Sequence, residues 1–523
     1  MESVTSSHLA RSTVRQLIEM GVSDFVLSPG SRNAPLSLAL FEASQRGFID
    51  LHVRIDERGA AYFALGISKA SDKYVALICT SGTAAANYHP AALEAYHSGN
   101  KILFITADRP ARLRNTGANQ TTIQTGILSP IATVDTAEPI DCQTLLIGGP
   151  VHVNLQFDEP LLESDAEIDW LAGLKVVPRV IPVKTEGIVE VSPRSIIVIG
   201  HDCAGLSIES VRDLASKSGI PVIAEDPVSF DFAVPHAALF LSEAEIRNTL
   251  KAETIIVIGR TTLSRSINSF ISQTSHVLVI DPRTETIDTR REATKLFSSI
   301  PTRIVSDVDP QWSQLWKICG ESAEKAIALG WSEQLVAREI VRSIPAESAL
   351  FVGSSRPVRD IEAFAQPRSG VRVFANRGLA GIDGNISTAF GISTVFERTY
   401  SILGDLTFLH DISALANTHA SNHTIFVIDN NGGGIFSTLP QSGSDGFEKI
   451  FGTPHNLNVE SVIKGFGYSV EKVKTLSDLK RTFHHPGLHF VVVEVPDREA
   501  NARELKKIHQ SVANAVRIGS NLA

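Results

Sequence analysis

At 523 residues the chain exceeds what one core holds, and at roughly 100–200 residues per domain it divides into about three. Hydrophobic residues make up 43% and charged residues 20%, a balance ordinary for a globular protein that can form a sizeable core. No apolar run approaches the ~18 residues of a membrane span; runs such as 254–258 and 276–280 are of strand length. A net charge of −9 argues against a general nucleic-acid surface. The four scattered cysteines, Cys79, Cys142, Cys203 and Cys319, form no CxxC pair and no disulfide framework, which fits a reducing cytoplasm.

The amino-terminal MESVTSSHLARSTVRQLIEMG reads as a capped amphipathic helix rather than a signal peptide. Short β-branched runs predict strands over 24–28, 74–80, 102–106, 195–200, 221–224, 254–259, 276–281, 349–352, 372–375, 400–404, 424–429 and 489–495. Each is followed by a Gly/Ser/Asp turn and a helical stretch. This alternation predicts an α/β fold of parallel sheets flanked by helices, with ligands beyond the carboxyl ends of the strands. A proline-bearing connector at 178–193 and another around 330–333 divide the chain into units 1–180, 181–332 and 333–523, and 500–523 reads as a closing polar amphipathic helix. No GxGxxG opens a helix after a strand and no GxxxxGK[ST] is present, so the dinucleotide and P-loop classes lack their phosphate fingerprint.

The segment SILGDLTFLHDISALANTHASNHTIFVIDNNGGGIFS carries the most chemistry. One predicted strand ends in Gly404-Asp405-Leu406, and the next ends in Asp429-Asn430-Asn431-Gly432. A right-handed crossover brings parallel strand ends to one edge, so Asp405 and Asn430, 25 positions apart, can converge on one cation. A carboxylate, an amide carbonyl and the Gly432 backbone carbonyl are hard ligands that suit Mg²⁺ or Mn²⁺, with phosphate oxygens completing the shell. A helix beginning near Thr407 adds free N–H groups for a phosphate. Alone, Asp405 is as easily a helix cap and Asn430-Asn431-Gly432 a turn; together, one crossover apart, they favour a metal-diphosphate site. In the first unit, HVRIDERGAAYFALGISKAS places Glu57 at the junction of a strand and a small-residue helix. Ile55, Ala60, Ala61 and Phe63 supply apolar surroundings that suit a proton donor. Arginines stand in strand-end loops, Arg32 after Ser28-Pro29-Gly30-Ser31, Arg109, Arg359 after Gly353-Ser354-Ser355, and Arg377 before Gly378. Such guanidinium groups suit dicarboxylate substrates.

The Gly404-Asp405-Leu406 and Asn430 pair resembles the diphosphate motif of thiamine-diphosphate enzymes. The longer segments SPGSRNAPL, RIDERGAAYFALG, TSGTAAANYHPA, TADRPARLRNTGANQTT, ANRGLAGIDGNIST and DNNGGGIFSTLP resemble, in family order, the 2-succinyl-5-enolpyruvyl-6-hydroxy-3-cyclohexene-1-carboxylate synthases of menaquinone biosynthesis. Residues 181–332 resemble that family only in α/β pattern and position. The resemblance implies a transferase that decarboxylates 2-oxoglutarate on thiamine diphosphate and adds the four-carbon fragment to isochorismate by conjugate addition, releasing CO2. It implies a pyrimidine-binding first unit with Glu57 as catalytic acid, a central unit, and a diphosphate- and metal-binding third unit. The cofactor contacts it implies are Glu57, Ile382 as an apolar wedge, Gly404, Asp405, Leu406, Asn430, Gly432, Ile435 and Phe436; the metal ligands are Asp405, Asn430 and Gly432. Substrate contacts carried over are Ser31, Arg32, Arg109, Asn119, Gln120, Arg265, Ser355, Arg359, Arg377, Phe436 and Leu439. The family arrangement implies a homodimer or homotetramer with active sites at subunit interfaces. The nearest competing readings are another 2-oxoacid decarboxylase or an acetolactate-synthase-like enzyme of the same superfamily, and a non-catalytic protein of the same fold.

Overall fold

The computed structural model describes residues 5–146, 148–162, 169–177, 187–200, 206–260, 264–281, 293–416 and 422–520; Cys203, most of the 178–193 connector and the last three positions of the segment 500–523 lie outside the described residues. Two compact units emerge, one of Met1–Pro182, Gly378–Phe396 and His410–His419, the other of Val183–Arg377, Glu397–Leu409 and Ala420–Ala523.

In the first unit six strands, β1 (Asp24–Leu27), β2 (Asp50–Val53), β3 (Val75–Cys79), β4 (Ile102–Asp108), β5 (Thr133–Thr136) and β6 (Val151–Gln156), form a parallel sheet in the order β2-β1-β3-β4-β6-β5. The order reverses between β1 and β3. The loops after those two strands, Ser28–Ser31 and Thr80–Gly82, therefore open the crevice where such sheets take ligands. One face is sealed by the amino-terminal helix Ser6–Glu19 through Leu9, Val14, Leu17 and Ile18, in the amphipathic spacing the sequence predicts.

Helix Glu57–Ser71 is buried on nearly all sides because Ala60, Ala61, Ala64 and Gly66 let its neighbours approach closely. A Cβ at Gly66 would collide with the Thr388 carbonyl and lie 3.0 Å from Gly391 Cα, so helix Asn385–Ser393 packs backbone against backbone there.

In the second unit β7 (Ile188–Glu190) is followed by β8 (Ser195–Ile199), β9 (Val222–Ala224), β10 (Thr254–Ile258), β11 (Val277–Ile280), β12 (Ala293–Phe297) and β13 (Arg303–Val305). A five-stranded parallel sheet runs β12-β11-β10-β8-β9, and β13 pairs with β7 as a separate ribbon. Its central strands are buried along their whole length, and apolar but for Ser195 and Thr254, because helices cover both faces. Six further strands, β14 (Ser348–Val352), β15 (Val371–Phe374), β16 (Thr399–Gly404), β17 (His423–Asp429), β18 (Val470–Val473) and β19 (Leu488–Glu494), form the parallel sheet β15-β14-β16-β17-β19-β18. That order repeats the first sheet's, with its reversal between β14 and β16.

All twelve predicted strands are present, each within two residues of its expected ends. The unpredicted ones are mostly edge strands whose mixed character gives no apolar run, such as Asp50–Val53 and Ala293–Phe297. β6 is internal, but its run is broken by His152 and Asn154; both are fully buried and are bonded to Thr106 Oγ1 of β4.

Candidate active site

β16 and β17 lie side by side in register, Gly404 opposite Ile428, so their carboxyl tips meet at one edge as the crossover argument requires. The short helix Asp405–His410 starts at Asp405, two residues earlier than the sequence suggests, and Leu406 is helical, a conformation open to leucine. Asp405 is buried. Its Oδ1 accepts the Leu406 N–H at 2.6 Å and its Oδ2 accepts the Gly432 N–H at 2.8 Å, which ties the two tips together. Gly432 is required by its backbone: φ is +135°, and a Cβ there would sit 2.6 Å from Arg498 Nη1.

Asn430 donates through Nδ2 to Glu333 Oε1, while its Oδ1 is buried without a hydrogen-bond partner. Burial, and then the neighbouring Asp405 charge, push the Asp429 carboxyl above its ordinary range. Burial likewise raises Glu333. An unpaired amide oxygen beside crowded carboxylates is the donor set of a hard divalent cation, and a buried polar atom left unsatisfied costs about 1–3 kcal/mol. The residues present therefore fit Mg²⁺ or Mn²⁺. A cavity of about 480 Å³ opens beside them, lined by Asp429, Asn430, Asn431, Lys472 and Asp497 among others.

His455 was not visible from sequence. Its Nε2 lies 3.2 Å from Asp405 Oδ2 and 3.8 Å from Asp429 Oδ1, and the Asp405 hydrogen bond holds the imidazole above its usual range. No spacing signal marks it, because a fifty-residue excursion returns it to the strand tips. Ile435 and Phe436 sit in the short helix Gly434–Thr438, half-buried, with the Phe436 ring 5.6 Å from that of Phe451; Leu439 ends it.

Three arginines gather around the start of helix Arg356–Phe364. Arg359 donates to the Ser355 carbonyl at 2.5 Å, and its guanidinium is lowered by burial and then by the Arg377 and Arg356 charges. Ser355 holds φ at +76°, a strained setting for a non-glycine residue, in the turn between β14 and helix Arg356–Phe364. Arg377 is buried and donates through Nη2 to Glu225, leaving Nε and Nη1 buried without partners. Arg356, absent from the sequence reading, is neutralised by Glu333 at 3.6 Å and by Asp360. Arg265 begins helix Arg265–Ile271 and is exposed; no described contact joins it to this group.

In the first unit Asp56 caps helix Glu57–Ser71, accepting the Arg58 and Gly59 N–H groups at 3.0 and 3.3 Å, and takes the Ser413 hydroxyl as well. With Asp56 so engaged, Glu57 is the carboxylate left half-buried at the crevice, close enough that its charge adds to burial in raising Tyr88 and Cys79. Ile55 departs from the expected apolar setting: it is 69% exposed in this chain, because the strand before it is an edge strand. Ile382 is half-buried in the turn Gly381–Gly384, which is pinned by Tyr62 O–H to Asp383 and by Asn385 Nδ2 to the Gly381 and Asp383 carbonyls.

Arg109 donates to the Gln120 carbonyl at 3.0 Å and reaches Ser81 Oγ at 3.4 Å, and after burial the Arg32 charge lowers it, which places the two cations near each other. Arg32 reaches the Phe157 carbonyl and Glu159. Ser31, Asn119 and Gln120 are exposed on the same rim.

This arrangement coincides with three family matches: residues 7–127 with the N-terminal thiamine pyrophosphate (TPP) binding domain of thiamine pyrophosphate enzymes, 178–352 with their middle domain, and 358–495 with their C-terminal TPP binding domain. Fold and matches together define a thiamine pyrophosphate enzyme. Relatives named 2-succinyl-5-enolpyruvyl-6-hydroxy-3-cyclohexene-1-carboxylate synthase include a Thermobifida fusca protein, 36% identical over 98% of this chain and 100% of its own length. Others are a Nocardioides protein, 35% identical over 96% and 97%, and a Listeria monocytogenes protein, 31% identical over 98% and 97%. The chain belongs to this synthase family.

Proposed function

We propose that the chain decarboxylates 2-oxoglutarate and adds the remaining four-carbon unit to isochorismate by conjugate addition, giving 2-succinyl-5-enolpyruvyl-6-hydroxy-3-cyclohexene-1-carboxylate and CO2 in menaquinone biosynthesis. The single observation that carries this reading is the pairing of Asp405 with the Gly432 N–H while Asn430 Oδ1 stays buried and unsatisfied, within a chain matching its relatives nearly end to end. When bound, thiamine diphosphate supplies the electron sink for loss of CO2 and the carbon nucleophile for the addition. Asp405, Asn430 and the Gly432 carbonyl would hold its Mg²⁺ or Mn²⁺, and Gly404, Leu406, Ile435 and Phe436 would flank the coenzyme. Glu57 would hold the proton shared with the aminopyrimidine, and Ile382 would keep the coenzyme bent.

Two buried, unpaired nitrogens on Arg377 suit a substrate carboxylate, since a guanidinium stays charged and binds bidentately. Arg32 and Arg109, with Ser31, Asn119 and Gln120, would orient the other end, and Arg359, Ser355, Phe436 and Leu439 would complete the enclosure. For Arg265, the sequence pattern is the only support. Functionally we keep the division at 1–180, 181–332 and 333–523. We place the enzyme in the cytoplasm as a homodimer or homotetramer whose active sites form between subunits; among the described residues no helix is long and apolar enough to cross a membrane.

Incubation with thiamine diphosphate, Mg²⁺, 2-oxoglutarate and isochorismate should yield the succinylated cyclohexene product by mass. Equal turnover of pyruvate, or CO2 release indifferent to isochorismate, would instead favour a simple decarboxylase or acetolactate-type enzyme. Glu57→Gln should still bind coenzyme but exchange its C2 proton slowly by NMR; exchange at the wild-type rate would remove Glu57 from the reaction.

A further inference from the structure

At the far edge of the third sheet Glu471, His485 and His489 bring a carboxylate oxygen and two imidazole nitrogens within 4.8 Å of one another. Strand register explains how. β18 pairs with β19 so that Glu471 lies opposite Val491, and His489, two residues earlier on β19, projects from the same face. The short helix Thr482–His484 ends just before His485, and Gly487, at φ +77°, turns the chain back into β19. That turn is anchored: the Gly487 N–H donates to Asn422 Oδ1 at 2.8 Å, and the His423 N–H donates to the Gly487 carbonyl at 3.1 Å.

Glu471 Oε1 stands 2.6 Å from His485 Nε2 and 3.3 Å from His489 Nε2, and the two rings stack with centroids 4.1 Å apart and planes at 24°. His489 is only 5% exposed, yet its Nε2 makes no hydrogen bond of acceptable geometry among the described residues. An ordinary ion pair accounts for Glu471 and the exposed His485, but not for a buried imidazole nitrogen aimed at the same oxygen. A metal ion satisfies all three at once.

We propose that Glu471, His485 and His489 form a second metal site that binds Zn²⁺ or a similar transition ion and clips edge strand β18 to β19. Zn²⁺ takes imidazole nitrogen at about 2.0–2.1 Å and carboxylate oxygen at about 2.0–2.2 Å, usually with four ligands. Tetrahedral ligands at those lengths stand about 3.3–3.5 Å apart, close to the 3.3 Å between Glu471 Oε1 and His489 Nε2, and binding would turn the exposed His485 ring out of its stack on His489 to bring its Nε2 to the ion. Two imidazoles select a transition ion over Mg²⁺, which keeps this site chemically distinct from the oxygen-ligand site at Asp405 and Asn430. Three protein ligands leave one coordination position for water.

The test is a Zn²⁺ titration of chelator-stripped full-length protein by calorimetry, in saturating thiamine diphosphate and Mg²⁺ so that the other site is occupied. Wild type and Asp405→Ala should each take up one equivalent. His485→Ala, on an exposed loop, should fold normally and bind more than about tenfold more weakly, since losing even an outer-shell partner commonly costs that much. Glu471→Gln should behave in the same way, and both should keep wild-type synthase activity. Co²⁺ should give the strong visible bands of a four-coordinate ion in wild type and lose them in His485→Ala. No uptake by wild type, undiminished uptake by His485→Ala, or uptake lost only in Asp405→Ala would each overturn the proposal.

Discussion

The Asn430 amide can hydrogen-bond only two ways round, and Glu333 decides which. Because the buried Glu333 carboxylate accepts from Nδ2, Oδ1 is the atom left unpaired, where the proposed cation would be met. Glu333 is itself located by its N–H to Asn501 Oδ1 at 3.1 Å and by Arg356. Glu333→Ala should therefore weaken Mg²⁺-dependent coenzyme binding by about 10–100-fold, the usual cost of losing an outer-shell partner, without shifting the far-ultraviolet circular dichroism. An unchanged coenzyme dissociation constant would show that Asn430 orients itself. Neither Glu333 nor His455 carries a sequence signal: one opens an ordinary amphipathic helix and the other ends a long loop. That the tips carrying Asp405, Asn430 and Gly432 would meet was legible because their spacing follows from one local strand–helix–strand unit.

Between elements, the contacts that matter are those with no room and those with no water. Helices Glu57–Ser71 and Asn385–Ser393 touch at Gly66 and Gly391, where an added methyl group meets backbone that cannot yield. Gly66→Ala should cost about 1–3 kcal/mol in urea denaturation, the range for overpacked cores, whereas Gly99→Ala should show only the strain of its left-handed backbone, since no atom lies within 4 Å of its Cβ position.

Within the sheets, burial pushes His152 in β6 down to about 4 and His423 in β17 down to about 3. The unfolded chain protonates both rings as the pH falls below 6.5, while the folded chain keeps them neutral to about 4 and 3. Their contribution is thus complete above pH 6.5 and is lost on acidification through that window. His423→Gln, which can keep a bond to Ser401 Oγ, should flatten the acid limb of a plot of denaturation midpoint against pH; an unaltered limb would assign acid lability elsewhere.

For the whole molecule, a ligand that binds only the folded state adds about 2.7 kcal/mol at a hundredfold excess over its dissociation constant. Thiamine diphosphate with Mg²⁺ should therefore raise the thermal midpoint of the wild type and leave Asp405→Ala unmoved; a matching rise in the variant would place the coenzyme elsewhere. The α/β class, twelve of the strands and the meeting of the Asp405 and Gly432 strand tips were readable from the chain alone, because a parallel sheet buried on both faces writes itself as apolar runs followed by turns. Edge strands such as Asp50–Val53 left no such mark, since half of each faces solvent or polar neighbours. The arginines could be named from their loops, but only the folded chain showed Arg377 held by Glu225 with two nitrogens unspent, and Arg265 standing apart. Local order in the sequence determines which residues end a strand. Which distant side chain meets them, whether Glu333, His455 or Glu225, depends on how separate segments pack, and no periodicity along the chain encodes it.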